Sequence, residues 1–336
     1  MHFVWLHFPL LAGFLLLADH AQAAEVLSDN AAWGFPDFLV FRNATSKGWN
    51  FGNTAANAPT VTLLGVTMKG NSGGSDAASG LTFTTAPLTY SISSFAWTGT
   101  TEQPARDSLS RGGLHGGETG FFVLNLAAIR GGTYVIDILA LDAAAPTGRS
   151  MDVSLDNVLV KENWTVTRGH PFNRVLRLRT VADADGIDLR FSRGDIPDTD
   201  HNPAISAVAV TRQLEAVEIW RQTHFSTVED SGAAANHADP DRDGLENLVE
   251  FAFDLNPNIP DAALLPQWRR EDDDYLLSFS RPPGVSGISY VVEQNESLAS
   301  GDWVAIPNVN AEPKFFFGLP AITTTRRFLR LRVTIP

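Results

Sequence analysis

MDVSLD, residues 151–156, places Met151, Val153 and Leu155 on one side of an extended chain and Asp152, Ser154 and Asp156 on the other. A period of two belongs to a β-strand with one face packed and one face wet. IDLRF, residues 187–191, repeats it, with Ile187, Leu189 and Phe191 set against Asp188 and Arg190. Working outward, further short strands are expected at Thr60–Met68, Leu81–Thr85, Leu88–Trp97, Gly120–Leu126, Thr133–Leu141, Arg174–Thr180 and Ala204–Val210. Gly, Asp, Asn and Pro punctuate them, and no long amphipathic helix interrupts residues 25–212. Strands of this length and spacing predict a mainly β protein in which residues 24–213 form a jelly-roll-like sandwich.

The order of segments sharpens that expectation. GTYVIDILALDA from Gly132, RSMDVSLDNVLVKENW from Arg149, RVLRLRTVADADGIDLRFSRGD from Arg174 and NPAISAVAV from Asn202 follow one another. This succession resembles the second half of malectin-like and galactose-binding-like modules. The resemblance implies a two-sheet sandwich that binds carbohydrate on variable loops and does no catalysis.

A different chemistry is written at residues 239–250, DPDRDGLENLVE. Asp239, Asp241 and Asp243 occupy positions 1, 3 and 5 of a calcium loop, Gly244 position 6, Leu245 position 7, Asn247 position 9 and Glu250 position 12. Alternate short carboxylates wrap one face of a hard cation, and the glycine permits the sharp turn. Leu245 offers a main-chain carbonyl, and Glu250 closes the sphere with both oxygens. Position 8 carries Glu246 where EF-hands usually carry an apolar residue, and the pattern occurs once. It is therefore similar to the single Asp-rich motifs, related to dockerin and thrombospondin type 3 loops, that stand between domains of exported bacterial proteins. Calcium is the expected cofactor.

Helical spacing flanks the loop. LEAVEIWRQT, from Leu214, sets Val217, Trp220 and Arg221 on one face, and Leu245, Leu248, Val249, Ala252 and Leu255 recur up to Pro257. Residues 214–262 thus read as a helix-loop-helix calcium linker. Thirteen acidic residues face three arginines between Ser226 and Tyr275, while the whole chain carries a net charge of −13. Such a surface attracts cations and repels nucleic acid, for which no basic stripe exists.

The first residues set the compartment. LLAGFLLLA from Leu10 to Ala18 is an apolar core, and Ala21-Gln22-Ala23 is a small-residue cleavage site, so residues 1–23 read as a signal peptide of a secreted or surface protein. No later segment has the apolar length of a membrane span. The chain has no cysteine, so no disulfide holds it in an oxidising compartment, and thiol or cysteine–zinc chemistry is excluded.

A glycan site would combine an exposed aromatic platform with orienting polar groups. Trp49, set among turn formers in SKGWNFGN, is the expected platform, with Trp33, Trp97 and Trp164 as further tryptophans. His115 and the run Asp198, Asp200, His201 and Asn202 supply polar candidates. Asp183, Asp185 and Asp188 miss the calcium-loop frame and fit a hairpin turn at Asp185-Gly186. Gly70-Asn71-Ser72-Gly73-Gly74 matches a nucleophile motif in letters only, because a Gly/Ser run replaces the helix it requires. No catalytic motif survives its context, so a non-catalytic role is expected.

Beyond Pro260 the strand pattern returns at Tyr275–Phe279, Tyr290–Val292, Trp303–Ile306 and Leu329–Val333, predicting a small sandwich over residues 263–336. YLLSFSRPPGVSGISYVVEQNESLASGDW with RFLRLRV resembles carboxy-terminal modules that accompany the Asp-rich motif in exported bacterial proteins. The functions weighed are a calcium-stabilised polysaccharide- or glycan-binding protein, a structural or adhesive surface protein, and a polysaccharide hydrolase or lyase on the jelly roll.

Overall fold

The computed structural model describes residues 24–31, 38–39, 41–52, 58–85, 87–91, 112–116, 120–141, 148–166, 173–296, 303–320 and 327–336. Residues 1–23, expected to be a signal peptide, and Trp33 and Trp97 lie outside the described residues. Among the described residues strands make up 48% and helix 11%, so the protein is mainly β. The chain divides into two compact units, Met1–Gln213 and Leu214–Pro336. Among the described residues no helix is long and apolar enough to cross a membrane.

In the first unit the strands are β1 (Glu25–Ala31), β2 (Lys47–Phe51), β3 (Val61–Leu63), β4 (Val66–Asn71), β5 (Leu81–Thr85), β6 (Leu88–Ser91), β7 (Gly112–His115) and β8 (Phe121–Leu126). They continue with β9 (Thr133–Leu141), β10 (Arg149–Leu155), β11 (Val158–Val166), β12 (Asn173–Val181), β13 (Ile187–Arg193), β14 (Ala204–Ile205) and β15 (Ala207–Arg212). A seven-stranded sheet has the order β1-β12-β9-β15-β2-β4-β3, a five-stranded sheet β11-β10-β13-β8-β5, and a three-stranded sheet β14-β7-β6.

Alternation decides which side chains meet between the sheets. Ile136 and Ile138 of β9, Leu176 and Leu178 of β12, Met151, Val153 and Leu155 of β10 and Ile187, Leu189 and Phe191 of β13 belong to one buried core. The two segments read first in the sequence pair with each other, Val153 opposite Phe191 and Leu155 opposite Leu189. The opposite face of the large sheet buries a smaller cluster of Phe38, Leu39, Leu63, Met68, Leu139 and Val175. On that face Asp137 and Arg177 form an ion pair with an N–O distance of 2.6 Å and side chains 5% and 6% exposed. Asp137 also accepts the Leu39 amide at 2.6 Å.

Three sequence expectations need correction here. Trp49 is not a platform. It lies in β2, in register with Val208 of β15 and Lys69 of β4, is 2% exposed, and donates its indole N–H to Ser79 at 3.0 Å. The glycine that suggested a turn serves close packing instead, since a Cβ on Gly48 would stand 2.1 Å from the Met68 sulfur. Trp164 is likewise fully buried and donates to Asp29 at 3.0 Å.

Second, the Asp185-Gly186 turn joins no hairpin, because β12 belongs to the seven-stranded sheet and β13 to the five-stranded one. The turn is real: Gly186 adopts φ +108° and the Asp183 amide donates to its carbonyl at 3.2 Å. It carries the chain from one layer to the other. Third, Thr60–Met68 is two strands, with Leu64 and Gly65 at φ +52° and +82° forming a tight hairpin between β3 and β4.

The second unit contains α1 (Ala216–Phe225), α2 (Asn247–Phe253), β16 (Arg269–Glu271), β17 (Asp274–Ser280), β18 (Ser289–Asn295), β19 (Val304–Ile306), β20 (Lys314–Pro320) and β21 (Phe328–Thr334). Its three-stranded sheets are β16-β17-β20 and β19-β18-β21. The sequence reading separates a linker at 214–262 from a sandwich at 263–336. In the structure they share one core, in which Trp220, Phe251 and Ala252 pack with Leu277, Tyr290, Val292, Phe315 and Phe317. The reason is area: two short helices and six short strands each lack the apolar surface for a core of their own. Tyr290 ties them further by donating its hydroxyl to the Ala252 carbonyl.

Phe317, 1% exposed and opposite Leu277, tests this core. Phe317→Ala is expected to destabilise the second unit by about 3–5 kcal/mol in urea titration, against less than about 0.5 kcal/mol for Leu264→Ala. Leu264 is 69% exposed, so equal losses would contradict the assignment of the core.

Candidate functional site

The acidic loop is built between α1 and α2. Glu218 and Glu215 form a capping box that starts α1, and its buried Arg221 reaches forward to Asn236 Oδ1 at 2.6 Å. That bond fixes the chain just before the loop. At the far end the Asn247 and Leu248 amides donate to the carbonyls of Ala238 and Asn236, at 2.8 and 2.9 Å. The buried Asn247 side chain donates to the Ala233 and Ala235 carbonyls at 2.8 and 2.7 Å. Both ends of the loop are thereby clamped.

Within it, each aspartate uses one oxygen to shape the turn. Asp239 Oδ2 accepts the Gly244 amide at 3.1 Å, Asp241 Oδ1 the Asp243 amide at 3.1 Å, and Asp243 Oδ1 the Leu245 amide at 2.9 Å. Gly244 has φ +93°, a conformation that disfavours any side chain. One carboxylate oxygen from each aspartate then lies within 4.8 Å of the others. Among the described residues this is where three metal-ligating side chains converge.

Glu250 stands in the first turn of α2, fully buried, and neither of its carboxylate oxygens has a hydrogen-bond partner. Asp239 Oδ1, Asp241 Oδ2 and Asn247 Oδ1 are also buried without one. Burial first, and then the charges of Asp241, Asp243, Asp261 and Asp239, push the Glu250 carboxyl up to about 7. Burial, followed by the charges of Asp243 and Asp239, raises Asp241 as well. Burial also pushes Asp243 upward, but the amides of Leu245, Asp261 and Ala262 outweigh it and hold that carboxyl below its usual range. So many oxygens turned inward without donors are costly in an apolar setting unless a cation joins them. The set contains only oxygen, which suits calcium and not the nitrogen- and sulfur-seeking transition metals.

Asp261 had no place in the sequence motif, yet its amide and that of Ala262 donate to Asp243 Oδ2, at 2.8 and 2.7 Å. Its distance along the chain hid it, since a loop template ends at Glu250. Arg221 was seen only as part of a helix face.

The polar candidates of the first unit gather around Arg149, another residue the sequence did not single out. Arg149 pairs with Asp200 at 2.8 Å and donates to the Asn202 carbonyl at 3.0 Å, while the Asn202 amide donates to Asp200 at 2.9 Å. His201 Nδ1 donates to the Gly194 carbonyl at 2.7 Å. His115 ends β7 opposite Ala204, and burial, then the Arg149 charge, lowers its pKa against the pull of Asp200. Asp198 is exposed at φ +61°. Asp200, His201 and Asn202 thus hold their own loop against β10. The structure gives Ser72 no nucleophile elbow either: Asn71 closes a turn around it, donating to the Gly74 carbonyl and accepting the Gly73 amide, both at 2.8 Å.

No family model matches the chain, and no curated protein does. Solved structures similar to it include the ANX1 ectodomain from Arabidopsis thaliana, 12% identical with a TM-score of 0.38 over 56% of this chain and 54% of that one. The ANX2 ectodomain from the same plant is 11% identical with a TM-score of 0.37, over 49% and 48%. A β-glucuronidase from Bacteroides uniformis is 14% identical with a TM-score of 0.36, over 50% of this chain and 18% of that one. The chain therefore spans about half the length of the plant ectodomains it resembles.

Proposed function

We propose that this is an exported, non-catalytic surface protein whose second unit is stapled by one calcium ion. Asp239, Asp241, Asp243, the Leu245 carbonyl, Asn247 and Glu250 are the ligands in this reading. The observation that carries it is Glu250, completely buried with both oxygens unpartnered beside converging aspartates. When bound, the ion neutralises these carboxylates and fixes the loop that positions α2. An extracellular module of this kind binds calcium at roughly 10⁻⁴ to 10⁻³ M, concentrations that suit an exported staple and not a cytosolic switch.

For the sandwich we favour an adhesive or structural role, because Trp49 and Trp164 are core residues and supply no stacking surface. Glycan binding is the second reading. It is favoured by the half-exposed His115 and Asn202 around Arg149 and by the exposed Asp198 on the same loop as Asn202.

Calorimetry of the purified chain with millimolar calcium and with chelator tests the first proposal. Calcium is expected to raise the transition of the second unit by several degrees and leave that of the sandwich unmoved. Equal curves would dismiss the staple. A glycan array run with the same samples separates the two uses of the sandwich. Binding weakened at least about tenfold by Asp198→Ala would establish the second reading over the first.

A further inference from the structure

We infer that Asp261 supplies a further oxygen to the same ion, so that calcium bridges the acidic loop to the chain beyond α2. This rests on the calcium reading above and extends it past the twelve-residue loop.

Asp261 occupies the N-cap position of a 3-10 turn, Ala262–Leu264, where an aspartate ordinarily accepts a main-chain amide of that turn. Its side chain makes no such bond. One oxygen, Oδ2, instead accepts the Asn256 amide at 3.1 Å. That bond reaches back across the turn after α2 and fixes the carboxylate. The other oxygen, Oδ1, is buried and has no partner. A forgone cap and a buried oxygen without a donor favour a cation as the partner.

The backbone brings the Asp261 segment to the loop. Asp243 Oδ2 takes the amides of both Asp261 and Ala262, which fastens this segment directly onto the third aspartate of the motif. The same two bonds engage an oxygen that a loop of this kind would otherwise turn toward the ion. Calcium accepts six to eight oxygens in flexible geometry, so a ligand arriving from a neighbouring segment fits its coordination. Asp261, Asp239, Asp241, Asn247 and Glu250 then account for six buried oxygens that the protein leaves without donors.

The test uses the full purified chain, with calcium titrated calorimetrically into the parent, Asp239→Asn, Asp261→Asn and Asp261→Ala. Asn retains an oxygen for the Asn256 amide, which keeps the turn folded. Both Asp261 variants are expected to weaken calcium binding by about tenfold or more, because affinity in such sites follows ligand charge. Europium(III) luminescence lifetimes in H₂O and D₂O then count the waters on the ion. Asp261→Ala is expected to add about one water where a carboxylate oxygen has gone.

Unchanged affinity in both Asp261 variants, with the Asp239 variant impaired, would overturn the inference and leave the calcium staple standing. Weakened affinity with an unchanged water count would also overturn it, making Asp261 a neighbouring charge. A parent chain that takes up no calcium would remove the staple itself, and the inference with it.

Discussion

At pH 8 in chelator, Glu250→Gln is expected to unfold at a higher temperature than the parent, and in 10 mM calcium to lose most of that advantage. The advantage follows from a buried acid whose pKa is raised from 4.5 to about 7 by burial and by four neighbouring aspartates. Without a cation the folded chain holds this proton more tightly than the unfolded chain does. Stability is therefore full below about pH 4.5 and is lost as pH rises through about 7. A tenfold difference in proton affinity between the folded and unfolded chain is worth about 1.4 kcal/mol, so removing the charge stabilises the ion-free protein by up to about 3 kcal/mol at pH 8. At pH 5 that difference should fall to about 1 kcal/mol. Calcium offsets the difference because it binds the folded carboxylate, adding about 2.7 kcal/mol to the parent at a hundredfold excess over its dissociation constant. A Gln variant less stable than the parent under both conditions would mean that Glu250 is held by protein groups and not by an ion.

The second large effect belongs to the sandwich. Asp137→Asn strands the Arg177 guanidinium on a face where both side chains are about 5% exposed. It also weakens the anchor that holds the Leu39 amide at 2.6 Å. Breaking one partner of a buried ion pair costs about 3–5 kcal/mol, because an uncompensated charge remains in an apolar setting. Urea denaturation of the sandwich should register that loss. Replacing both partners, Asp137→Leu with Arg177→Met, is expected to be neutral or stabilising by about 1–4 kcal/mol. If the single variant lost under about 1 kcal/mol, water would have to reach the pair.

These residues also show what a sequence discloses. MDVSLD and IDLRF were legible as strands because each has one wet face, and β10 and β13 lie where the alternation put them. KGWNF was not, since β2 is a strand between two others with its last four residues buried, where Gly48 serves packing and Asn50 donates to the Pro59 carbonyl. Local turn chemistry named the bend at Gly186 but carries no information about which sheet receives each arm. The acidic loop was legible because its oxygens come from one contiguous stretch. Asp261 was not, since only folding brings it to Asp243. The aspartate run at 198–202 looked like ligand chemistry, and its Asp200 is engaged by Arg149, fifty-one residues away in the chain.

The strand order of the large sheet has a kinetic consequence. β1 pairs with β12, joining Glu25 to Arg179, and β2 pairs with β15, joining Lys47 to Val210. Contacts so distant along the chain make the relative contact order high and folding correspondingly slow. During synthesis, β2 has no β15 to receive it until Val210 has emerged. A sandwich closed by its last strand stays open until that strand has been made.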